Sequence, residues 1–400
     1  MNRRLILLVL LLLAMATHVY ADNVHQFSQN SLLGKIEADF DNAEISLDQK
    51  AIYLIQAIKS PEMLPDKYKS LSTSLNPEEL REATLAIIDI RLNWDSYSPA
   101  TQQTLASALE RVAAAFTYTS ASGYFLLHYD TLGVDAVPSA DTNANLVPDF
   151  VENCASYLDS SLTKHLELGY LTPPSDGGMG GDTLFDVYFE EMSYYGYAVP
   201  EAPGGYAWDD YFSYLVLNND FLGFPSNNDP EGLVAGAAKA TAAHEFHHCV
   251  QFAYDVAEGS WFMELDATYM EDIVFDHVDD NYNYLPGFMN SPQSSLMDNS
   301  PSHKYASFIW ATYLAEKFDT SLNVAAWEGA RYNTIYNTYS DNLMARYGWT
   351  QDSAYADFTS WNYITGSRDD GLHYEEASSY PEISIAATYS TYPVSLQNSA

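Results

Sequence analysis

Ala242-Ala243-His244-Glu245-Phe246-His247-His248-Cys249-Val250-Gln251 is the stretch that sets the reading of this chain. It holds His-Glu-x-x-His at His244, Glu245 and His248, and the residues before it, Ala235 to Ala243, are mostly small and helix-favouring. A helix advances about 100° per residue, so positions four apart lie within roughly 40° of each other and one turn apart along the axis. Both imidazoles can then reach one metal ion. Zinc takes nitrogen and oxygen ligands tetrahedrally and, when catalytic, keeps one position for water; Glu245 stands beside that position, where a carboxylate can take the water's proton. Burying three ionisable groups on so apolar a helix without a partner is costly, which also points to a metal. His247 lies three residues after His244, and the spacing favours His248 as ligand, leaving His247 as a hydrogen-bonded neighbour.

Outward from this helix, the composition describes a chain able to fold. With 47% hydrophobic and 14% aromatic residues among 400, it can bury a substantial core. The formal net charge of −37 disfavours nucleic acid and anionic membranes as partners, because both would repel it. Such an acidic surface suits an extracellular setting and calcium. Arg3 and Arg4 precede an apolar run, Leu5 to Ala16, and Val19-Tyr20-Ala21 offers small residues where a signal peptidase reads, so residues 1–21 are expected to be a signal peptide. No other run approaches the about 20 apolar residues of a membrane span, and no Cys stands at the cleavage point, so no membrane anchor is expected. The mature protein is expected to be secreted.

Residues 22–118 read as helical. Leu47 to Ile58 and Glu78 to Leu92 carry apolar residues at helical spacing, broken by Pro61, Pro65 and Pro77. Ser98-Pro99 starts another helix, with Leu105, Leu109, Val112 and Ala113 along one face. This region is either a propeptide or an integral helical layer. Strands follow at Tyr124 to Asp130, Phe185 to Phe189 and Tyr214 to Leu217, separated by Gly- and Pro-rich loops such as Pro173 to Gly181. From Trp261 on the pattern is helical again, at 261–275, 303–318 and 352–364.

Asp141-Thr142-Asn143-Ala144-Asn145-Leu146-Val147-Pro148-Asp149-Phe150-Val151-Glu152 has the spacing of a calcium loop. Asp141, Asn143, Asn145, Asp149 and Glu152 would supply side-chain oxygens, and Val147 its carbonyl. Leu146 stands where such loops have Gly for a sharp turn, and Leu in that conformation is strained. The competing reading is an Asx-rich turn capping a helix that begins near Pro148.

The calcium-like loop, then Phe185-Asp186-Val187-Tyr188-Phe189, Tyr194-Tyr195-Gly196-Tyr197, Thr241-Ala242-Ala243-His244-Glu245-Phe246-His247-His248 and Trp261-Phe262-Met263-Glu264-Leu265-Asp266-Ala267-Thr268-Tyr269-Met270-Glu271-Asp272 follow one another in order. This combination resembles a family of secreted bacterial metalloproteases first noticed among myxobacterial proteins, over about residues 45–385. The family is assigned to peptidases by its zinc motif, so the resemblance implies reaction class more than substrate. It implies an α+β, zincin-like fold: a mixed β-sheet, a zinc-binding active-site helix and a helical C-terminal half, preceded by a helical N-terminal region. The catalytic domain would span 119–375, with 376–400 a tail or the start of a further C-terminal domain.

The third zinc ligand must be a carboxylate from a second helix. Glu264, Thr268 and Glu271 share one helical face. The segment is similar to the Trp-x-x-Glu-x-x-Ala-x-Tyr pattern of gluzincin aminopeptidases, which gives the ligand role to Glu264 and leaves Glu271 to orient a histidine's free N–H. Glu245 is the expected general base, and Tyr305 or His303 the expected donor to the oxyanion. Tyr214 to Asn218 is the candidate edge strand for an extended substrate. Cys154 and Cys249 are either a disulfide or two buried thiols. The expected function is a secreted zinc endopeptidase acting on protein or peptide substrates, with Zn2+ and a structural Ca2+ as cofactors. The alternatives are an inert extracellular binding or adhesion module that keeps zinc structurally, and a zinc hydrolase of a non-peptide amide or ester.

Overall fold

A computed structural model describes Phe27, residues 31–71 and residues 75–384. The expected signal peptide, residues 1–21, and most of the expected C-terminal tail lie outside the described residues. In chain order the helices α1 (Leu32–Asp41), α2 (Leu47–Lys59), α3 (Asp66–Lys69), α4 (Ala83–Leu92) and α5 (Pro99–Ala108) come first. Strands β1 (Phe116–Thr119) and β2 (Phe125–Tyr129), helix α6 (Asp149–Leu168) and strands β3 (Phe185–Glu190), β4 (Gly196–Pro203) and β5 (Tyr211–Asn218) follow. Helices α7 (Leu233–Gln251) and α8 (Ser260–Phe275) then lead to α9 (Leu285–Met289), α10 (Pro301–Lys304), α11 (Phe308–Lys317), α12 (Ser321–Ala330), α13 (Ile335–Tyr347) and α14 (Gln351–Tyr363). The fold class is mixed α+β. Among the described residues no helix is long and apolar enough to cross a membrane.

Local chemistry explains several boundaries. Ser46 and Gln49 form a reciprocal capping box at the start of α2. Ser98 caps α5 with Pro99 as its first residue. That helix stops at Ala108, so Leu109, Val112 and Ala113 lie beyond it rather than on its face. Gly169, at φ 96°, closes α6 in the left-handed conformation. The single helix expected over 303–318 is two, α10 and α11, parted at Tyr305–Ser307.

The five strands form one sheet in the order β1-β2-β3-β5-β4. β2, β3 and β5 are parallel, and β1 and β4 flank them antiparallel. Tyr214 to Asn218, expected at an edge, therefore lies in the interior, between β3 and β4. The reason is visible in its burial: Ser213 to Asn218 is buried on both faces, and a strand so enclosed reads as a continuous apolar run. The edge on this side of the sheet is β4, which carries Pro200 and Pro203, and β1 is the other edge; proline cannot donate to a ladder and is confined to edges.

Helices cover both faces. On one, α7 lies against β4 and β5 with α6 beside it. On the other, the Tyr214 hydroxyl donates to the Leu109 carbonyl at 2.8 Å and Lys59 pairs with Glu190 at 3.0 Å, so the N-terminal helices form a layer over the sheet. Helix α4 runs along β4, and α8 packs against α7. Cys154 and Cys249 are separate buried thiols, so the bridge between α6 and α7 does not form.

Candidate metal centre

Helix α7 brings His244, Glu245 and His248 to one place, and α8 crosses it to add Glu264. One ligand atom from each of His244, His248 and Glu264 lies within 4.8 Å of the other two. His244 Nε2 is 3.1 Å from Glu264 Oε2, and His248 Nε2 is 3.7 Å from Glu264 Oε1. These three side chains and Glu245 are all fully buried.

The remaining ring nitrogens are held from behind. His244 Nδ1 bonds Glu271 Oε1 at 2.7 Å, and His248 Nδ1 bonds Gln251 Oε1 at 2.7 Å. Gln251 in turn donates through Nε2 to the Met263 carbonyl at 2.9 Å. Each histidine is thus anchored on one nitrogen with the other turned inward, the arrangement that fixes tautomer and ring angle for a metal.

Three buried polar atoms of this cluster have no hydrogen-bond partner: His248 Nε2, Glu264 Oε1 and Glu245 Oε1. Leaving one such group unpaired costs about 1–3 kcal/mol, and more for a charge. A cation among them satisfies the first two at once. The donor set of two imidazoles and a carboxylate fits a divalent transition metal.

The electrostatics agree. Burial alone would make His244 harder to protonate, but its bonds to Glu264 and Glu271 bring it up to about 9. Burial pushes His248 down to about 3. Glu264 sits below its ordinary value because His248 and His244 outweigh its burial. The proton shared by His244 and Glu264 and a metal ion would compete for the same two atoms. Burial raises Glu245 to about 7, against the pull of His244 and of a hydrogen bond from Thr84.

Glu245 Oε2 accepts the Thr84 hydroxyl at 2.7 Å. Glu271 also accepts Arg81, at 2.9 Å on Oε1 and 3.3 Å on Oε2. Neither Thr84 nor Arg81 was expected from the sequence, because each acts across more than 150 positions and leaves no local pattern. Gln251 was findable: it stands three residues after His248, on the same helical face.

His247 points away from the triad. Its Nε2 bonds Asp266 Oδ2 at 2.8 Å and its Nδ1 bonds His165 Nε2 at 2.8 Å, the neighbour role expected of it. Tyr305 is fully buried, its ring centroid 6.2 Å from that of His244, and its hydroxyl has no hydrogen-bond partner. His303 instead stacks on Phe288 at 4.9 Å. The β4 edge is covered: Tyr195 N–H donates to the Leu80 carbonyl at 3.0 Å and Ala198 N–H to the Thr84 hydroxyl at 2.9 Å.

The 141–152 loop is apart from this centre. Asn143 and Asn145 donate to the two oxygens of Glu152 at 2.9 and 2.7 Å, and Asp141 accepts the N–H groups of Asn145 and Leu146. Asp149 begins α6 and accepts the Thr142 N–H at 3.0 Å. Leu146 takes φ 73° and is 90% exposed, the strained geometry expected where a glycine is usual. Asp141, Asn143, Asn145 and Glu152 thus converge, an arrangement shared by a cation loop and a self-bonded Asx turn.

No protein-family model and no curated protein matches this chain.

Proposed function

We propose that the protein is an exported zinc-dependent peptidase of the gluzincin kind, with His244, His248 and Glu264 as the zinc ligands. The observation that carries this reading is the pairing of that triad with Glu245, one of whose carboxylate oxygens is tied down while the other is unpartnered. A site that only held metal for structure would have no use for a free base there. The sheet with its antiparallel edge strand beside the His-Glu-x-x-His helix supports a zincin-like catalytic region over 119–375.

Bound zinc would supply Lewis acidity toward a scissile carbonyl and make attacking water more acidic. Glu245 Oε1 takes the water's proton and returns it to the leaving amine. Thr84 holds Oε2, so the carboxylate cannot rotate away. Glu271 and Gln251 fix the two imidazoles. The Tyr305 hydroxyl, buried and unpartnered beside the centre, is the donor available to the developing oxyanion.

Two observations favour a second reading, an inert module with structural zinc: all four central residues are fully buried, and the β4 edge is covered by α4. Digestion of a broad peptide library by the purified protein, with and without a chelator, separates the two. The peptidase reading expects cleavage that a chelator abolishes and that Glu245→Gln lowers by about 100-fold or more while zinc stays bound. Cleavage by Glu245→Gln at the parent rate removes Glu245 as base. Cleavage of no peptide together with turnover of small esters would move the assignment to a non-peptide hydrolase.

A further inference from the structure

Two hydrogen-bond chains enter the metal centre from the N-terminal helices. In the first, the Thr84 hydroxyl accepts the Ala198 N–H of β4 at 2.9 Å, which leaves its single proton to point at Glu245 Oε2, 2.7 Å away. The direction of that bond is therefore fixed by the backbone of the sheet, and Glu245 keeps only Oε1 for another partner. In the second, Arg81 is fully buried and all its contacts converge on the wall behind His244. It donates to both oxygens of Glu271, to Asp280 Oδ2 at 2.5 Å and to the Tyr284 hydroxyl at 2.5 Å. Its guanidinium carbon lies 4.4 Å from the Tyr195 ring centroid and 5.4 Å from that of Tyr284. Glu271 Oε1 passes this order on, because the same oxygen bonds His244 Nδ1.

The helix that carries Thr84 is not a strap laid over a finished domain. Ala83, Leu85, Ala86, Ile87, Ile88 and Ile90 of α4 are all fully buried, in the same hydrophobic cluster as β5 and α7. Taking away α4 together with the turn before it, Glu79–Arg81, would expose that surface and leave Glu271 and Asp280 as carboxylates without their cation.

We propose that the N-terminal helical layer is a permanent part of the metal centre, in which Thr84 and Arg81 are positioning residues for Glu245 and His244. The Thr84 half rests on the hydrolase reading above; the Arg81 half needs only the metal site. Residues 31–109 are then structural to the mature protein and not a segment removed on activation.

The test uses the full chain with a site-specific protease sequence inserted between Ala113 and Ala114, in the connection between α5 and β1. After cleavage of the zinc-loaded protein, the two pieces should co-elute in size exclusion with zinc retained. Separation of the pieces, with the larger one holding zinc at the uncut affinity, overturns the proposal. In the uncut chain, Arg81→Met should weaken zinc binding roughly 10- to 100-fold and alter the visible spectrum of the cobalt-substituted protein. Should Arg81→Met fail to fold, Arg81→Lys keeps the charge and loses the planar fork, and weaker zinc binding is again expected. Unchanged affinity and spectrum in a folded Arg81 variant overturn its role. Thr84→Val should keep zinc affinity but lose hydrolysis by about ten-fold or more and shift its pH profile, with Thr84→Ser restoring both. Equal behaviour of Thr84→Val and Thr84→Ser overturns the role of Thr84. A parent protein that cleaves nothing, yet loses zinc affinity in Arg81→Met, would overturn the peptidase reading and the Thr84 half with it, and would support the Arg81 half.

Discussion

Gly196 opens β4 at the point where the sheet meets the metal-binding helix, and Gly196→Ala should show how close that approach is. A Cβ built there would stand 2.7 Å from the Val216 carbonyl oxygen, 3.1 Å from Thr241 Cγ2 and 3.4 Å from Glu245 Cγ. The first of these is backbone in β5 and cannot swing aside, so the strand pair or α7 must move. Overpacking of this kind costs about 1–3 kcal/mol. Removing a glycine from the unfolded chain returns about 0.4–1 kcal/mol, so at the middle of both ranges the net loss should be about 1–1.5 kcal/mol. At about 2–4 °C per kcal/mol for domains somewhat smaller than this one, the melting temperature should fall by about 2–6 °C. Gly205→Ala is the control, since nothing lies within 4 Å of its added methyl group; it should keep the unfolded-chain gain of about 0.4–1 kcal/mol with no loss to set against it. Calorimetry of the two variants beside the parent measures the difference. Equal melting temperatures for Gly196→Ala and Gly205→Ala would refute the close approach of β4 to α7.

Two further outcomes concern pH and calcium. Asp39 is buried; burial alone would raise it, but hydrogen bonds from Lys35, Lys67 and Tyr68 hold it down at about 2. A lowered carboxyl stabilises the fold above its unfolded value near 3.8 and loses that contribution as pH falls toward 2. Discounted for screening around the half-exposed lysines, the contribution is about 1–2 kcal/mol. The stability gap between parent and Asp39→Asn in urea should thus be full at pH 7 and shrink between about pH 4 and 2; a gap constant with pH would contradict the shift. If the 141–152 loop takes calcium, added calcium should raise the parent's melting temperature and Asp141→Ala should remove the gain. An equal gain in the variant would move calcium elsewhere; Asp272, Asp276 and Glu376, with carboxylate oxygens within 4.8 Å of one another, are one such group.

How much of this was legible in the sequence depended on the range of each interaction. His244, Glu245 and His248 follow from spacing along one helix; periodicity put Glu264 and Glu271 on one face of the next, and the resemblance to the gluzincin pattern chose between them. The parallel strands β2, β3 and β5 were readable as apolar runs. Their order was not, because register and neighbours are set by contacts distant in sequence, and the buried Tyr214 to Asn218 was mistaken for an edge. The prolines of β4 were the missed signal for the true edge, and β1, short and mostly exposed, gave no run to read. Thr84 and Arg81 were invisible for the same reason: an ordinary threonine and arginine near a helix start become part of the centre only once α4 is laid against β4.

The central claim is that His244, His248 and Glu264 hold a zinc ion, and metal content tests it most directly. Elemental analysis of the parent, Glu264→Ala and Glu271→Ala after equilibration with stoichiometric zinc should find the parent loaded and Glu264→Ala empty. Glu271→Ala should bind roughly 10- to 100-fold more weakly without losing the metal outright, because Glu271 only orients His244. Full loading of Glu264→Ala at the parent's affinity, or loss of zinc from Glu271→Ala alone, would contradict the account.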